Sequence, residues 1–588
     1  MKLKHITTEH LLYGLAIFLA LGIRFLRLGA TPLSDYEAGW ALQALGVAHG
    51  ASTGQLAIGS QPGYVVITGL LFFIFGDRNA LARLIPALAG AALVSLPLLF
   101  HRMRGFNKTA GLILAFGLAL DPGLVALSRE AGSPIPVLSF SLLALGLAYN
   151  RKLILAGILA GLALLSGSAI LAGILGLALT WIVVKLLHNE TVIGPLSETE
   201  SNEVPTGFNR DNIRQGIFFG VGTLVVAGTL FLIIPQGLGG LANMLPDYLA
   251  GWVSSSGIPA LRLPVALLVY QPLVVIFAII SIVRGWLYSN RLAQSLSLWA
   301  VIALVLAILY PARQTGDLAW ALVPLWVLAA LELAWHLPDE IGATTRLVSV
   351  VHSLMVFVLL VLIWFNLLRM GMLLEGQFWY WVVIGVVVFM GIIVTLLISA
   401  GWSPAAARYG LVWGLSAALG LYMISGTWGV SQLRANNPRE LWNVNPGIGE
   451  ADLLSNTLGD LSEWHTSLRQ FLDIVVITDN PSMRWALRDL SNVRYNPELA
   501  AGNLPGSIIS QQDQKTPSLA ASYRGQDFAW LIYPDWSTIL PANWLRWVIY
   551  RDAPVRNEQV ILWARSDLFP GGVISQNEVV PLQNEPLK

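Results

Sequence analysis

The chain has 588 residues, 55% hydrophobic and 12% charged, with a formal net charge of +1. A mean hydropathy of +0.65 is too apolar for a soluble protein of this length and points to a polytopic membrane protein. The balanced charge and the lack of a basic tract exclude nucleic acid as a partner, and the absence of cysteine excludes disulfides, thiolate metal sites and cysteine nucleophiles.

After Lys2, Lys4 and His5, an apolar stretch from Leu11 to Leu28 has the charge order of a signal sequence but no small-residue cleavage site, and reads as a retained first helix. It turns straight into Pro32-Leu33-Ser34-Asp35-Tyr36-Glu37, which sets two carboxylates at the edge of a bilayer and opens an interfacial helix over 35–49. Ionisable groups beside hydrocarbon are costly to keep, so this pair is a functional candidate. The same residues also suit a helix start, with Asp35 as N-cap and Glu37 in the positive first turn. The stretch from Gly63 to Gly76 is apolar but short and ends in Asp77-Arg78, which predicts a second interfacial helix over 63–76. Arg83 then reads as an interfacial anchor of the next span.

Thirteen segments, several of them short, are apolar enough to cross a bilayer: 11–28, 82–101, 108–121, 135–149, 152–167, 169–187, 214–234, 264–283, 295–310, 318–335, 347–367, 378–399 and 407–426. With Lys2 and Lys4 in the cytoplasm, Arg102, Arg104, Lys108, Arg151, Lys152, Arg210, Arg214, Arg284, Arg291, Arg346 and Arg408 fall on the same side. The loops 29–81, 121–134, 235–263, 311–317 and 368–377 then face outward together with the C-terminus. The hydrophilic stretch 188–213 reads as a solvated cytoplasmic connection. Residues 430–588 hold 30 of the 69 charged residues and form a separate extracytoplasmic α/β domain, leaving 1–429 as the membrane domain. In it, Asp473 to Asp479 and Phe528 to Tyr533 read as strands and Pro481 to Leu490 as a helix. No glycine-rich nucleotide loop, zinc pattern or nucleophile elbow occurs there. His49, His101 and His352 make no ligand spacing.

The order of first span, Pro-Leu-x-x-acidic loop, interfacial helix and then Ala80-Leu81-Ala82-Arg83-Leu84-Ile85-Pro86 resembles membrane glycosyltransferases of the GT-C fold, in particular the protein O-mannosyltransferase and aminoarabinose-transferase superfamily. The likeness covers about residues 10–190, and more loosely a later loop from Tyr310-Pro311-Ala312-Arg313 to Asp317. It implies a catalytic base at Asp35 with Glu37 as its companion, although Tyr36 separates the two. The family's second loop carries an arginine and a later aspartate; here Ser128-Arg129-Glu130-Ala131-Gly132-Ser133 keeps the arginine and offers Glu130 in place of the aspartate. Where the family often has lysine, this chain has Gln61-Pro62 and Ser166-Gly167-Ser168.

The implied reaction is inverting transfer of a sugar from a polyprenyl-phosphate donor to a lipid, glycan or protein acceptor on the outer face of a plasma membrane. It needs a carboxylate to take the acceptor's proton and a cation to meet the leaving phosphate. Asp35, Glu37 and Glu130 are the catalytic candidates, and Arg313, Arg129, Arg262 and Gln61 the candidates for the donor phosphate. No cofactor is required in this reading; the alternative to arginine is a magnesium or manganese ion on Asp35 and Glu37, joined by Glu130. Two other readings stand beside it: a transporter or flippase, and a catalytically silent GT-C relative that binds glycolipid.

Overall fold

The computed structural model describes residues 7–50, 58–100, 106–187, 210–337, 342–372, 378–431, 433, 439–443, 445–497, 499, 504–512, 519, 521–536 and 539–569. Lys2, Lys4, Arg102, Arg104 and most of the predicted connection 188–213 lie outside them. Each of the thirteen predicted segments contains helix. Among the described residues, seven single helices are long and apolar enough to cross a membrane, and two more spans qualify as bent pairs. Of the other four predicted spans, three, around 84–100, 135–149 and 153–165, belong to shorter apolar helices, and 214–234 falls in helix Arg210–Thr229, which does not meet the same test. The protein is a multi-pass helical membrane protein with a C-terminal sheet domain.

The bent spans break where the sequence puts proline after a polar residue. Lys108–Leu120 and Pro122–Ser128 meet at 51° across Asp121, and Arg262–Tyr270 and Pro272–Leu287 meet at 99° across Gln271. Proline lacks the N–H that would continue the helix. Buried Asp121 accepts from Leu124 N at 2.8 Å, from Trp326 Nε1 at 2.8 Å and from Gln271 Nε2 at 3.4 Å, so one carboxylate ties both breaks together. Where 235–263 reads as an outer loop, the structure has a helix, Gln236–Ala250.

Helices Leu153–Leu165 and Arg210–Thr229 cross on glycines spaced by four, Gly157 and Gly161 on one and Gly216 and Gly220 on the other. A Cβ on Gly157 would lie 2.0 Å from the Gly216 carbonyl oxygen, so the backbones touch directly.

The C-terminal domain is a six-stranded sheet in the order β1-β5-β6-β4-β2-β3. The strands are β1 (Gly447–Ile448), β2 (Ile474–Val476), β3 (Val493–Tyr495), β4 (Ser507–Gln511), β5 (Tyr523–Pro534) and β6 (Val555–Arg565). β2 pairs in parallel with β3 and β4, and the remaining pairs are antiparallel. Helices Ala451–Thr466 and Pro481–Ala486 connect the early strands.

All five loops predicted to share one side meet the C-terminal region. Asp77 pairs with Arg488 at 2.6 Å, Glu130 accepts from Asn445 Nδ2 at 2.9 Å, and Arg262 donates to the Leu441 carbonyl at 3.2 Å. Thr315 donates to the Trp442 carbonyl at 3.1 Å, and Tyr550 donates to the Leu368 carbonyl at 2.7 Å. Trp547 is buried in the same apolar core as the membrane helices. The domain is thus seated on one end of the helical bundle.

Candidate functional site

Helix Asp35–Ala48 begins with a capping box: Ser34 Oγ accepts from Glu37 N, and Glu37 Oε2 accepts from Ser34 N at 3.1 Å. Ser34, not Asp35, is therefore the N-cap, and this reciprocal pairing satisfies two otherwise orphaned donors. Glu37 is 5% exposed and forms a two-pronged ion pair with Arg83, Nε to Oε1 and Nη2 to Oε2 both at 2.7 Å. Ala131 N adds a bond to Oε1 at 3.0 Å. Burial alone would raise its pKa; the Arg83 charge and these four bonds outweigh burial and hold the carboxyl below the usual carboxylate range. Arg83 is 2% exposed and also donates to the carbonyls of Leu28, Thr31 and Pro32. It is a buried clamp on the first loop rather than an interfacial anchor.

Glu37 is consequently not a free base, and the alternative of a metal ion on Asp35 and Glu37 does not fit these residues. A hard cation needs uncommitted oxygen ligands, and both oxygens of Glu37 already face a guanidinium. Among the described residues no group of three or more His, Asp or Glu side chains is arranged to hold a metal ion.

Asp35 is half-buried, and its Oδ1 accepts from Ser482 N at 3.0 Å. Ser482 is the second residue of helix Pro481–Ala486, so the resemblance-implied base holds the start of a helix in the C-terminal domain. Trp485 of that helix is 2% exposed and packs with Leu33, Ala38, Ala41, Tyr64 and Phe72. Its Nε1 donates to Asn79 Oδ1 at 2.8 Å. Helix Pro62–Phe75, read as interfacial, has Pro62 to Val66 and Thr68, Gly69 and Phe72 buried, and is walled by protein over most of its length.

The arginines expected to grip phosphate are engaged elsewhere. Arg129 Nη1 donates to the carbonyls of Ile23, Arg24 and Leu26 at 2.9–3.0 Å and closes the C-terminus of the first helix. Only its Nε is buried without a partner. Arg262 donates to Leu441 and Asn443 carbonyls, and Arg313 to Ile308 and Ile258 carbonyls. Gln61 Nε2 donates to the Gly132 carbonyl at 2.7 Å, as does Tyr36 Oη at 2.9 Å. Gly132 sits at φ +73°, and a Cβ there would lie 2.3 Å from Trp40, so only glycine fits this turn.

The loop from Arg129 to Ser133 separates two cavities. The first, about 70 Å³, is lined by Glu37, Arg83, Arg129, Glu130, Asn443 and Asn445. Burial and the nearby Glu37 charge push the Glu130 carboxyl up to about 8, with Asn445 and Arg83 opposing. A carboxyl that titrates near neutrality beside a cavity is suited to acid–base work. The second cavity, about 210 Å³, has two characters: Tyr36, Gln61, Ser166 and Asp317 at one end, and small residues such as Ala172, Gly173, Gly176, Ala303 and Ala307 at the other. Stacked Tyr248 and Tyr310, with ring centroids 5.3 Å apart, flank it.

The sequence reading missed several polar groups that organise this end of the bundle. Arg24 is fully buried in the first span and donates to Ser128 Oγ and to the Leu118 and Ala119 carbonyls. Glu440, Tyr270 and Arg551 form a buried cluster in which Tyr270 Oη donates to Glu440 and Arg551 stacks over the Tyr270 ring at 4.5 Å. A charge inside an apolar run was the available signal for Arg24; nothing local marks the others.

No family model matches the chain, and no curated protein matches it. The fold is similar to that of ArnT from Cupriavidus metallidurans bound to undecaprenyl phosphate, with 14% identity and a TM-score of 0.49 over 93% of this chain and 97% of that one. The apo state of the same protein gives 16% identity and a TM-score of 0.43 over 82% and 85% of the two chains. The oligosaccharyltransferase of Archaeoglobus fulgidus in its apo form gives 13% identity and a TM-score of 0.42 over 86% of this chain and 70% of that one. At identities this low the likeness is one of fold alone.

Proposed function

We propose that the protein is an inverting membrane glycosyltransferase that moves a sugar from a polyprenyl-phosphate donor to an acceptor on the outer face of the membrane. The observation that carries this reading is the two-character cavity of about 210 Å³ beside the Glu130 loop, whose polar end suits a head group and whose alanine- and glycine-lined end suits an isoprenoid chain. Glu130 in its ionised form, which gains ground as pH rises through about 8, is the proton acceptor in this scheme, since Glu37 is ion-paired and Asp35 is bonded to Ser482 N. The acceptor oxygen bonds to C1 as its proton passes to Glu130, and the C1–O bond to phosphate breaks with inversion. General-base assistance of this kind contributes about 10²–10⁴-fold. The residue offered toward the leaving phosphate is Arg129, which has an unpaired Nε and lines the smaller cavity with Glu130, across the Arg129–Ser133 loop from the larger one. Residues 1–429 act as the membrane unit and 430–588 as an outer domain.

One specific observation favours the second reading, a silent relative that binds glycolipid: the base implied by the family resemblance, Asp35, is engaged as a cap. The test is release of polyprenyl phosphate from synthetic polyprenyl-phosphate sugars by the purified protein, run beside Glu130→Gln, Asp35→Asn and a chelator. Loss of turnover in Glu130→Gln, retained in Asp35→Asn and in chelator, supports the assignment. Loss only in Asp35→Asn moves the base to Asp35. Saturable lipid binding without turnover from any donor establishes the silent relative.

A further inference from the structure

At the end of the bundle away from the sheet domain lies a cavity of about 520 Å³. Its polar lining comes from Asn107, Ser281, Arg284, Tyr288, Asn290 and Trp335, and among the described residues no carboxylate lines it. The chemistry of this wall is one-sided. Asn107 uses its side-chain oxygen to cap helix Lys108–Leu120, accepting from Ala110 N at 2.8 Å. Asn290 does the same for helix Arg291–Leu309, accepting from Leu292 N and Ala293 N at 3.1 and 3.2 Å. Both amide oxygens are occupied, which leaves the NH₂ groups as donors. Two helix N-termini, with their partial positive charge, therefore border the cavity.

Arg284 supplies the full charge. Its Nη2 pairs with Glu332 at 3.0 Å, whereas its Nη1 is buried with no hydrogen-bond partner among the described residues. Arg284 and Arg408 lie over the Trp335 ring at 4.3 and 4.4 Å, so among the described residues two guanidiniums share this corner with the carboxylate of Glu332. The Arg284 side chain is 28% exposed, so an anion in the cavity meets a guanidinium that offers charge-assisted hydrogen bonds. Around the cavity Leu287, Tyr288 and Trp335 are exposed, the composition of a membrane–water boundary.

We infer that this cavity is a binding site for a phosphate group, held by Arg284 and by the amides of Asn107 and Asn290. The exposed aromatic and aliphatic rim suits a phosphate carried on a lipid; free phosphate shares the chemistry. The site is independent of the glycosyltransferase reading, because it stands at the opposite end of the bundle from Glu130.

The test uses the full-length protein in a neutral detergent and reads the unfolding midpoint while phosphatidic acid, diacylglycerol or inorganic phosphate is added. These two lipids differ only in the phosphate. The expected result is a saturable rise in midpoint with phosphatidic acid and none with diacylglycerol. Asn290→Asp keeps the helix cap while placing a negative charge against the ligand, and is expected to weaken the apparent affinity at least tenfold. Arg284→Gln should abolish the response, but it leaves Glu332 buried and unpaired, so Asn290→Asp is the variant that decides if Arg284→Gln does not fold. A response to inorganic phosphate equal to that of phosphatidic acid, and lost in Asn290→Asp, supports the site with free phosphate as its source. Equal responses to the two lipids, or an unchanged response in Asn290→Asp, overturn the inference.

Discussion

Glu130→Gln should change how stability depends on pH, and the direction follows from burial. In the folded chain the carboxyl titrates at about 8, against an ordinary value of 4.5. Between those values the folded state holds a proton that the unfolded state has lost, so stability falls as pH rises. The slope is at most about 1.4 kcal/mol per pH unit, and from pH 5.5 to 7.5 the loss is on the order of 2–3 kcal/mol. The contribution is fully present below pH 4.5 and gone above 8. Glutamine keeps the oxygen that accepts from Asn445 Nδ2 at 2.9 Å but cannot ionise, so the variant should lack this part of the slope. Denaturation of wild type and variant at pH 5.5, 6.5 and 7.5, compared pairwise, cancels the other titrating groups. An infrared carbonyl band of a protonated carboxyl, present in the wild type at pH 7 and missing in the variant, is the independent check. Parallel curves for the two proteins would refute the claim that Glu130 is held protonated by its surroundings.

Three other outcomes are expected. Glu37→Gln or Arg83→Met alone should cost about 3–5 kcal/mol, because each strands a buried partner, while the double variant should cost clearly less than the sum; additive losses in denaturation would contradict the pairing. Gly157→Val should force helices Leu153–Leu165 and Arg210–Thr229 apart, since its Cβ would fall 2.0 Å from the Gly216 carbonyl oxygen, with a loss of about 1–3 kcal/mol or more read as a lower unfolding midpoint. Trp485→Ala should remove about 3–5 kcal/mol of packing between the sheet domain and the first loop, seen as faster amide exchange over Asp35–Ala48; unchanged exchange there would mean the two do not support each other.

The helices and their common sidedness were legible because both rest on local signals, apolar runs and flanking charge. The seating of all five loops against one domain agrees with the charge pattern that placed them on a common side. The site was less legible, because its chemistry is set by partners far away in the chain. Arg83 and Glu37 are 46 positions apart, and Asp35 meets Ser482 across 447. Spacing within one loop predicts neither. Arg129, Arg262 and Arg313 do lie near the sheet domain or its linker, but their guanidiniums serve carbonyls at the end of the first helix, at Leu441 and Asn443, and at Ile258 and Ile308, partners that local spacing does not reveal. Glu130 was named as a substitute carboxylate, whereas the burial that tunes it comes from the linker carrying Asn445.

The order of synthesis gives the Trp485 contact a further meaning. The first-loop core of Leu33, Ala38, Ala41, Tyr64 and Phe72 is among the earliest parts of the chain to emerge, yet it is completed by a residue made near the end. Until then Asp35 has no Ser482 amide to cap, and Asp77 has no Arg488. A ribosome stalled before the sheet domain would therefore leave an inserted bundle with one end unfinished. Quality control that senses exposed apolar surface at the membrane boundary could tell a truncated chain from a complete one by this patch alone.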